Sequence, residues 1–413
     1  MTPEVKERIE QIRHGIVPEG YRKTAHGIAP NEWKQKPLVE VVDFLDDQRI
    51  PIKENERQSG QYPYYGASGI IDYVKDYIFD GEYILLGEDG ANILDRSSPL
   101  AFRVSGKCWI NNHAHVLRPK SGYHIDYLTN YLESLSYVKY NSGSAQPKLN
   151  QDTCQKLPVV CGRYSEQEKI ADIFSTQDKI IFLKERLLAE KQRQKKHLMQ
   201  QLLSGKKRLP GFSDKWKFAE LGKISKKRKE KNKKFEYSLV FSNSAQHGII
   251  PQTEQFDKEI ANEERIDGYY IVHDSFFVYN PRISVTAPCG PINRNETGKT
   301  GVMSPLYTVF SIESEEINQD FLKQYFKSSC WYRHMKSVAN YGARHDRMNV
   351  SDEDFFLMPI PVPSLDEQNA IAIFLMAADR EIELLWQDLE QEKQKKKALM
   401  QLLLTGIVRV AVE

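Results

Sequence analysis

The sequence has few of the features that mark membrane, secreted or metal-binding proteins. No stretch approaches the roughly twenty apolar residues of a membrane span, and the start MTPEVKERIEQIRHG is too highly charged for a signal peptide. The cysteines show no CxxC motif and no zinc-type spacing. We therefore expect a cytoplasmic protein without a metal or other cofactor. Its five cysteines should be ordinary buried or half-buried thiols: Cys108, Cys154, Cys161, Cys289 and Cys330.

Catalytic motifs are also missing or incomplete. The string YNPR at 279–282 lacks the second proline and the aromatic residue with which DNA amino-methyltransferases hold a target amine. Asn293 stands where a P-loop that continues into Lys299 and Thr300 would need its first glycine. We expect a protein that is not itself an enzyme.

Two short patterns could belong to a metal site or to ordinary structure. Glu88 and Asp89 in GEDGA could be metal carboxylates, or they could form a turn after a strand. His113 and His115 could be half of a metal site, or they could alternate along a strand. The turn and the strand are the interpretations that we favour.

Length and charge set wide bounds. The chain has 413 residues, which predicts two or three domains, and with 40% hydrophobic and 28% charged residues it should be globular. The net charge is only +2, from 58 basic and 56 acidic residues. Any basic surface must therefore be local.

One long segment occurs twice, and this repeat dominates the organisation of the chain. Residues 166–205 match residues 367–406 without a gap at a constant offset of 201, and about sixteen of the forty positions are identical. Neither copy contains proline or an internal glycine, and both are rich in helix-forming residues. Each is predicted to be one helix, here called an arm, capped by Gly205 or Gly406. At about 1.5 Å per residue, an arm would span roughly 60 Å.

Apolar residues recur at spacings of three and four along both arms. One helix cannot bury such a stripe alone, so we expect the arms to pack against each other. The alternative is that each packs on its own globular block. Positions predicted to line the spacer or a subunit interface are Ile170, Phe174, Ile181, Leu188, Leu198, Leu202, Ile371, Ile382, Leu389, Leu399 and Leu403; Leu183, Leu187 and Phe374 continue the pattern.

Two blocks of short strand patterns, led by Trp33 and Trp216, surround the arms. We expect each to be a small mixed α+β domain with a short helix, near 125–138 and 318–336. The segment that ends at Gly15 precedes Trp33 much as the end of the first arm precedes Trp216, so it looks like a cut copy of an arm. The predicted division is a helix end and connector (1–30), block one (31–160), an arm (161–209), block two (210–363) and an arm (364–413).

These features together resemble the specificity subunits of type I restriction–modification systems. The resemblance covers essentially the whole chain and is most specific in the arms, with their Glu-Gln start and the ending KKHLMQQLLSGKKRLPGF. It implies that each block is a target recognition domain that reads one half of a bipartite sequence in double-stranded DNA. The arms would form an antiparallel spacer in a circular, pseudo-two-fold arrangement. Because the blocks share only their ends, the two half-sites should differ.

The resemblance also implies partners. The spacer would carry two methyltransferase subunits, and endonuclease/translocase subunits would join that complex. Two other interpretations stay open: a helical scaffold protein without its own DNA specificity, and a stand-alone transcriptional regulator. No helix-turn-helix pattern is evident for the regulator.

Polar residues in the expected loops are candidate DNA contacts, because amides suit adenine edges and arginine suits guanine or phosphate. The basic run KISKKRKEKNKK at 223–234 could neutralise phosphates, or it could be a solvated loop. The candidates in block one are Asn111, Asn112, Gln146 and Lys148; those in block two are Lys226, Lys227, Arg228, Arg294, Asn295, Lys299, Arg344, His345 and Arg347.

Overall fold

The computed structural model of the chain describes residues 2–143, 146–255, 263–340 and 346–412. Its contacts divide the chain into two units. Unit 1 comprises Met1–Glu185 and Gln387–Glu413, and unit 2 comprises Arg186–Trp386. Each unit therefore contains one tryptophan-led block and a part of both arms. The boundaries predicted between blocks and arms stay a prediction.

Unit 1 is built around a six-stranded sheet in the order β4-β9-β7-β8-β5-β6, antiparallel except where β5 lies beside β8. Strands β1 and β2 form a separate pair, as do β3 and β10. Its elements are α1 Pro3–Arg13, β1 Tyr21–Thr24, β2 Gly27–Pro30, β3 Lys34–Pro37, α2 Leu38–Val41, β4 Val42–Phe44, β5 Ser59–Gly66, β6 Gly69–Val74, β7 Phe79–Gly87, α3 Asn92–Asp95, β8 Ala101–Ile110, β9 Ala114–Pro119, α4 Ile125–Ser134, α5 Gln151–Gln155, β10 Pro158–Cys161 and the start of α6, Tyr164–Leu203.

The central strands of this sheet are buried on both faces, and their alternation explains why. Ile84 and Leu86 of β7 pack into one core with the short helix α4, whereas Tyr83 and Leu85 pack into a second core on the other face. Successive side chains of a strand point to opposite faces, so an unbroken apolar run such as EYILLG suits a strand covered on both sides.

Unit 2 has a smaller four-stranded sheet in the order β12-β19-β16-β17 and three two-stranded pairs, β11-β20, β13-β14 and β15-β18. Its elements are β11 Lys217–Glu220, α7 Leu221–Ile224, β12 Ser225–Arg228, β13 Phe241–Ser244, β14 Gly248–Pro251, α8 Gln252–Gln255, β15 Tyr270–Val272, β16 Phe277–Tyr279, β17 Ile292–Arg294, β18 Gly301–Met303, β19 Thr308–Ile312, α9 Gln319–Lys327, α10 Tyr332–Val338, α11 Asp352–Phe356, β20 Pro359–Val362 and α12, Leu365–Leu403. The mixed α+β prediction is confirmed, and the short helices predicted near 125–138 and 318–336 are α4, α9 and α10.

Both arms are single helices, α6 and α12, and both end in a glycine cap as predicted. Gly205 and Gly406 have φ values of 70° and 68°, in the left-handed region that glycine adopts without strain. The amide of Gly205 donates to the Leu202 carbonyl at 3.1 Å, and that of Gly406 donates to the Leu403 carbonyl at 3.2 Å. The two ends are thus built alike.

Within each unit the two arms run antiparallel. In unit 1, Asp178 near the start of α6 pairs with Lys396 near the end of α12 at 2.6 Å. In unit 2, the equivalent residues of the repeat, Asp379 and Lys195, form the reciprocal pair. Low residue numbers on one arm meet high numbers on the other in both units, so the predicted antiparallel spacer is confirmed.

The ends of the arms pack into the blocks, so the alternative that each arm packs on a globular block is also partly right. Ile170, Phe174 and Leu403 lie in the main core of unit 1, and Leu202 and Ile371 lie in the main core of unit 2. The remaining spacer positions are buried (Leu188, Leu389) or half-buried (Ile181, Leu198, Ile382, Leu399). Their role as spacer positions agrees with this burial, and a contact of the half-buried ones with another subunit stays a prediction.

Three apolar residues of the arm pattern are exposed, contrary to the prediction that the whole stripe is buried. Leu183, Leu187 and Phe374 each expose more than two fifths of their surface. The partner helix and the block cover only part of the circumference of each arm, and these side chains lie on the uncovered part.

The N-terminal segment does not take the place predicted for it. Gly406, at the end of α12, lies against Trp33, as Gly205 lies against Trp216. Helix α1 instead lies beside the C-terminal segment, where Arg8 donates to the Ile407 carbonyl at 2.6 Å. The arm end that leads into block one in space is therefore the second arm, and Gly15 does not replace it.

Candidate nucleic-acid interface

Each arm begins with a buried glutamate that accepts hydrogen bonds from a tryptophan and an arginine; we call this set a latch. In unit 1, Glu166 accepts from Trp33 Nε1 at 3.0 Å and from Arg409 Nε at 2.6 Å. In unit 2, Glu367 accepts from Trp216 Nε1 at 2.9 Å and from Arg208 Nε at 2.5 Å. Arg208 and Arg409 each follow the end of an arm by a few residues. Each latch therefore fixes the start of one arm to the end of the other.

The glutamine after each glutamate joins the arm to its block. Gln167 accepts from the His124 amide at 2.9 Å, directly before α4, and donates to the Gly162 carbonyl at 3.0 Å. Gln368 accepts from the Asn318 amide at 2.8 Å, directly before α9, and donates to the Pro363 carbonyl at 2.9 Å. The Glu-Gln pair of the repeat thus orients each block on its arm.

Four loops of block one meet in space; residues 66–69, 87–91, 111–113 and 146–149 form this unit-1 loop cluster. The Glu88 amide donates to the His113 carbonyl at 2.9 Å, and the Leu149 amide donates to the Glu88 carbonyl at 2.7 Å. The Asn111 amide donates to the Tyr65 carbonyl at 3.1 Å. Backbone bonds therefore hold loops that are far apart in sequence.

The loop cluster brings together the four DNA-contact candidates of block one, but not all on its surface. Asn112, Gln146 and Lys148 are exposed. Asn111 is 5% exposed, and its side-chain oxygen accepts from the His113 amide at 2.8 Å. Asn111 therefore stabilises the turn, and its side chain is not available to a base edge. The DNA contacts of the other three stay a prediction.

A buried charge network lies under the loop cluster. His115 is fully buried, with Nδ1 2.6 Å from Asp46 and Nε2 2.8 Å from the Leu149 carbonyl. Burial lowers the pKa of His115, but the hydrogen bonds to Asp46 and Cys154 outweigh burial and raise it to about 10. Both ring nitrogens face acceptors, so the ring satisfies both only when it is doubly protonated. The cation ties strand β9 to the loop that carries Gln146 and Lys148.

The acidic and histidine patterns of block one are used in ion pairs. Glu88 lies 2.8 Å from Arg49, and Asp89 lies 2.8 Å from His113. Within the described ranges no group of three or more His, Cys, Asp or Glu side chains could hold a metal ion. Glu88 and Asp89 directly follow strand β7, as the turn interpretation expects. His115 lies in β9, but His113 lies in the turn before it, so the two histidines do not alternate along one strand. Asp46 and Arg49 were not among the predicted residues, because their partners, His115 and Glu88, lie far from them in the sequence.

The basic run at the start of block two is partly a strand. Residues 225–228 form β12, the edge strand of the four-stranded sheet, where the sequence also allowed a solvated loop. Lys227 pairs with Asp352 and Arg228 pairs with Glu313 at 2.5 Å, so two of the three candidates have acidic neighbours. Lys226 is exposed.

The end of β17 and the turn after it carry three more candidates, and two of them have structural roles. Arg294 is mostly buried and lies 2.6 Å from both Glu296 and Asp320. Asn295 is completely buried, and its amide donates to the Lys299 carbonyl at 2.9 Å. These placements do not support Arg294 and Asn295 as DNA contacts, because neither side chain is free at the surface. Lys299 is exposed at the tip of the turn.

The last three candidates follow α10. Arg344 and His345 lie outside the described residues. Arg347 lines a cleft of about 550 Å³, the unit-2 cleft, together with Arg282. Segments 281–283 and 346–348 pair through backbone bonds, including Met348 amide to Pro281 carbonyl at 2.9 Å, which sets the two arginines opposite each other. Arg282 was not among the predicted residues, because its position opposite Arg347 depends on a pairing between segments that are distant in sequence.

The described ranges contain no helix that is both long enough and apolar enough to cross a membrane. The cysteines are free, four of them buried and Cys330 half-buried, which agrees with the prediction of ordinary thiols.

Comparison with known proteins agrees with this architecture. The family described as type I restriction modification DNA specificity domain matches the chain twice, at residues 30–191 and 213–392. A putative type I restriction enzyme specificity subunit from Haemophilus influenzae is 37% identical over 142 residues, which is 34% of this chain and 36% of that protein. This match thus spans about a third of the curated relative.

Longer matches have lower identity. The putative type I restriction enzyme MjaX specificity subunit from Methanocaldococcus jannaschii is 24% identical over 446 residues, covering 95% of this chain and 97% of that protein. A solved structure that addresses complex assembly and conformational transition of the type I restriction–modification system has a TM-score of 0.56. It is 14% identical and covers 92% of this chain and 99% of that one, so it supports the fold alone.

Proposed function

Because the chain belongs to the family of type I restriction modification DNA specificity domains, we propose that it is the DNA-recognition subunit of a type I restriction–modification complex. Each block reads one half of an asymmetric bipartite target in double-stranded DNA. The chain has no catalytic activity of its own and works in the cytoplasm.

One observation carries the proposal. The specificity domain matches once around each block, and each match extends into the arm that follows it. The exposed loop-cluster residues of unit 1 and the arginine-lined cleft of unit 2 offer polar and cationic groups of the kind that contact bases and phosphates. The two blocks have different sheets, so they are expected to read different half-sites.

The methyltransferase partners need an exposed surface on the arms. In unit 2, helix α12 exposes Ile373, Met376 and Leu384, and Ile373 is 69% exposed. Their spacing places these three residues on one face of the helix. An apolar stripe of this kind on a soluble chain is typical of a protein–protein contact. We infer that the arms bind two methyltransferase subunits, and that endonuclease/translocase subunits join through that complex.

A block exchange tests the assignment of half-sites. Residues 31–157 are replaced by the same block of a homologous subunit, and the modified bases are mapped by sequencing in cells that also carry the methyltransferase. One half of the target should change while the other half and the gap stay as they were. A change in both halves would contradict modular recognition.

A lengthened arm tests the spacer role. Four residues inserted after Leu187 add about one helical turn. The tolerated gap between the half-sites should lengthen while both half-sites keep their base preference. An active complex with an unchanged gap would show that the arms do not set the spacing.

A salt titration separates the proposal from the scaffold alternative. A DNA-recognition subunit should bind its target with an affinity that falls steeply with salt, since phosphate contacts release counterions. A scaffold would show no specific affinity at any salt concentration. Methylation of DNA by the purified chain with S-adenosylmethionine would contradict the non-catalytic assignment.

A further inference from the structure

The walls of the unit-2 cleft are basic and polar. Arg282 and Arg347 are its charged residues, and no carboxylate among the described residues lines it. Hydroxyl and amide groups make up much of the rest, among them Ser244, Asn280 and Tyr307. A cleft of about 950 Å³ beside the latch of unit 1 differs, because its walls mix lysines and arginines with three glutamates.

The two arginines of the cleft have fewer acidic partners than other basic residues of unit 2. Arg347 has one carboxylate nearby, Asp346 at 3.5 Å, and its buried Nε has no hydrogen-bond acceptor among the described residues. Arg282 forms no ion pair within the ranges that the structure describes. By contrast, Arg294 has two carboxylates within 2.6 Å.

Backbone pairing holds the two positive charges near each other. Arg282 and Arg347 are direct partners in an antiparallel bridge, where like charges repel. Burial raises the pKa of the Tyr307 hydroxyl, and the guanidinium groups of Arg282 and Arg347 oppose that rise, so both lie close to this phenol. Asp346, beside Arg347, offsets only one of these two charges, and no carboxylate among the described residues lines the cleft, so the pair favours an anionic ligand.

We propose that the unit-2 cleft binds a backbone phosphate of the DNA target, with Arg282 and Arg347 as its cationic contacts and neighbouring hydroxyl and amide groups as further donors. This inference rests on the proposed function and adds the ligand class of one site. Arginine, serine, asparagine and tyrosine are the side chains that commonly contact phosphate oxygens, and arginine binds phosphate with two parallel hydrogen bonds. A base edge is neutral and would leave the charge of the pair uncompensated.

The test compares the full chain with the double variant R282Q/R347Q on duplexes that wild type binds. The slope of log affinity against log salt should become shallower by about 0.9, since one neutralised phosphate contributes about 0.9. Affinity should fall by a similar factor for every sequence tested, and the base preference within both half-sites should not change.

A matched control removes the same charge elsewhere in unit 2. Arg193 and Lys217 are exposed and do not line the cleft, so R193Q/K217Q should leave the slope as in wild type. The exposed Arg282 alone, as R282Q, gives a milder variant, whose slope should change in the same direction but by less than that of the double variant. Circular dichroism and thermal unfolding confirm that the variants fold.

Different outcomes separate the two proposals. Wild type without specific, salt-dependent DNA binding would overturn the proposed function and this site with it. Normal wild-type binding with an unchanged slope in both cleft variants would overturn the phosphate site alone. A relaxed preference at one base pair with an unchanged slope would identify a base contact in its place.

Discussion

The two units attach their arms in the same way, through a latch and a glycine cap that we together call the joint, and they differ in the blocks that would read DNA. The latches of Glu166 and Glu367 use the same residue types with nearly the same distances, and both caps use a left-handed glycine. The sheets, in contrast, have six strands in unit 1 and four in unit 2. In this chain two different blocks are therefore attached by the same Trp, Glu, Gln and Arg contacts. The repeated residues thus serve to attach each block to the arms.

The difference between the units extends to charge. In unit 1, a buried cation, His115, lies under the loop cluster and is hydrogen-bonded to Asp46. Unit 2 has two arginines that face a cleft without an acidic wall among the described residues. The first arrangement fixes loop shape, and the second leaves charge for a ligand. The predictions below test how far the shared joints are equivalent and how far the differing parts act independently.

Loss of a latch arginine should have the largest effect. Arg208→Ala leaves Glu367 buried without its cation, and Arg409→Ala does the same to Glu166; removal of one partner of a buried pair costs roughly 3–5 kcal/mol of unfolding free energy. Hydrogen exchange measured by mass spectrometry should show lower protection only in the unit that contains the altered latch. Arg193→Ala on the exposed side of α6 is the control. Equal loss of protection in both units would end the idea of two independent joints.

A rise in pH should destabilise unit 1 and not unit 2. The pKa of His115 is raised from 6.5 to about 10, so its contribution to stability is complete below pH 6.5 and is lost as pH rises towards 10. The expected loss between pH 7 and pH 10 is on the order of 3 kcal/mol. Urea unfolding at both pH values measures it, and His115→Gln should remove most of the dependence. If the stability of His115→Gln still fell between pH 7 and pH 10, another titrating group would be responsible for the pH dependence.

Charge on the exposed stripe of α12 should weaken one methyltransferase site. Ile373 and Met376 correspond in the repeat to Asp172 and Ser175 of α6, so the arm of unit 2 offers more apolar surface. Ile373→Glu should cost about 2 kcal/mol of binding, a value typical of a central interface residue. Native mass spectrometry should then show complexes with one methyltransferase. Asp172→Asn is the matched control, and unchanged binding of two subunits by Ile373→Glu would place the docking surface elsewhere.

Substitution of the cap glycines should have the smallest effect and should expose a difference between the joints. Gly205→Ala forces a side chain into the left-handed region, which costs about 1–2 kcal/mol. A methyl group at Gly406 would also lie 2.6 Å from Pro30, whereas at Gly205 the nearest atom is a Trp216 ring carbon at 3.2 Å. Gly406→Ala should therefore lower the melting temperature more than Gly205→Ala. Equal shifts would mean that Pro30 moves away without cost.

Long periodic features can be predicted from sequence, and contacts between distant segments cannot. The arms are predictable because a gapless forty-residue repeat with helical spacing is typical of two equivalent long helices. The Glu-Gln start is visible in the sequence, but its partners are not, because Arg208 and Arg409 lie in connectors that carry no periodic pattern. Only the structure shows that Glu166 and Glu367 are buried, and a buried carboxylate needs a cationic partner such as these arginines.

Prediction of the site residues failed where polar side chains turn inward. Asn111 and Asn295 have the composition of surface loops, yet both hold backbone groups of their own turns, which asparagine does readily. Arg282 was missed because its position opposite Arg347 depends on a pairing between segments more than sixty residues apart. The sequence does not distinguish the basic strand β12 from a loop, because four residues such as SKKR show no apolar alternation.

The discontinuity of unit 1 has a consequence for biosynthesis. The ribosome completes unit 2, Arg186–Trp386, before it makes Gln387–Glu413, which unit 1 requires. At roughly 5–20 residues per second this delay lasts a few seconds. During it, Glu166 has no Arg409 and the core of unit 1 lacks Leu403. The block that is translated first therefore matures last, and nascent unit 1 is the part that chaperones and proteases meet in an unfinished state.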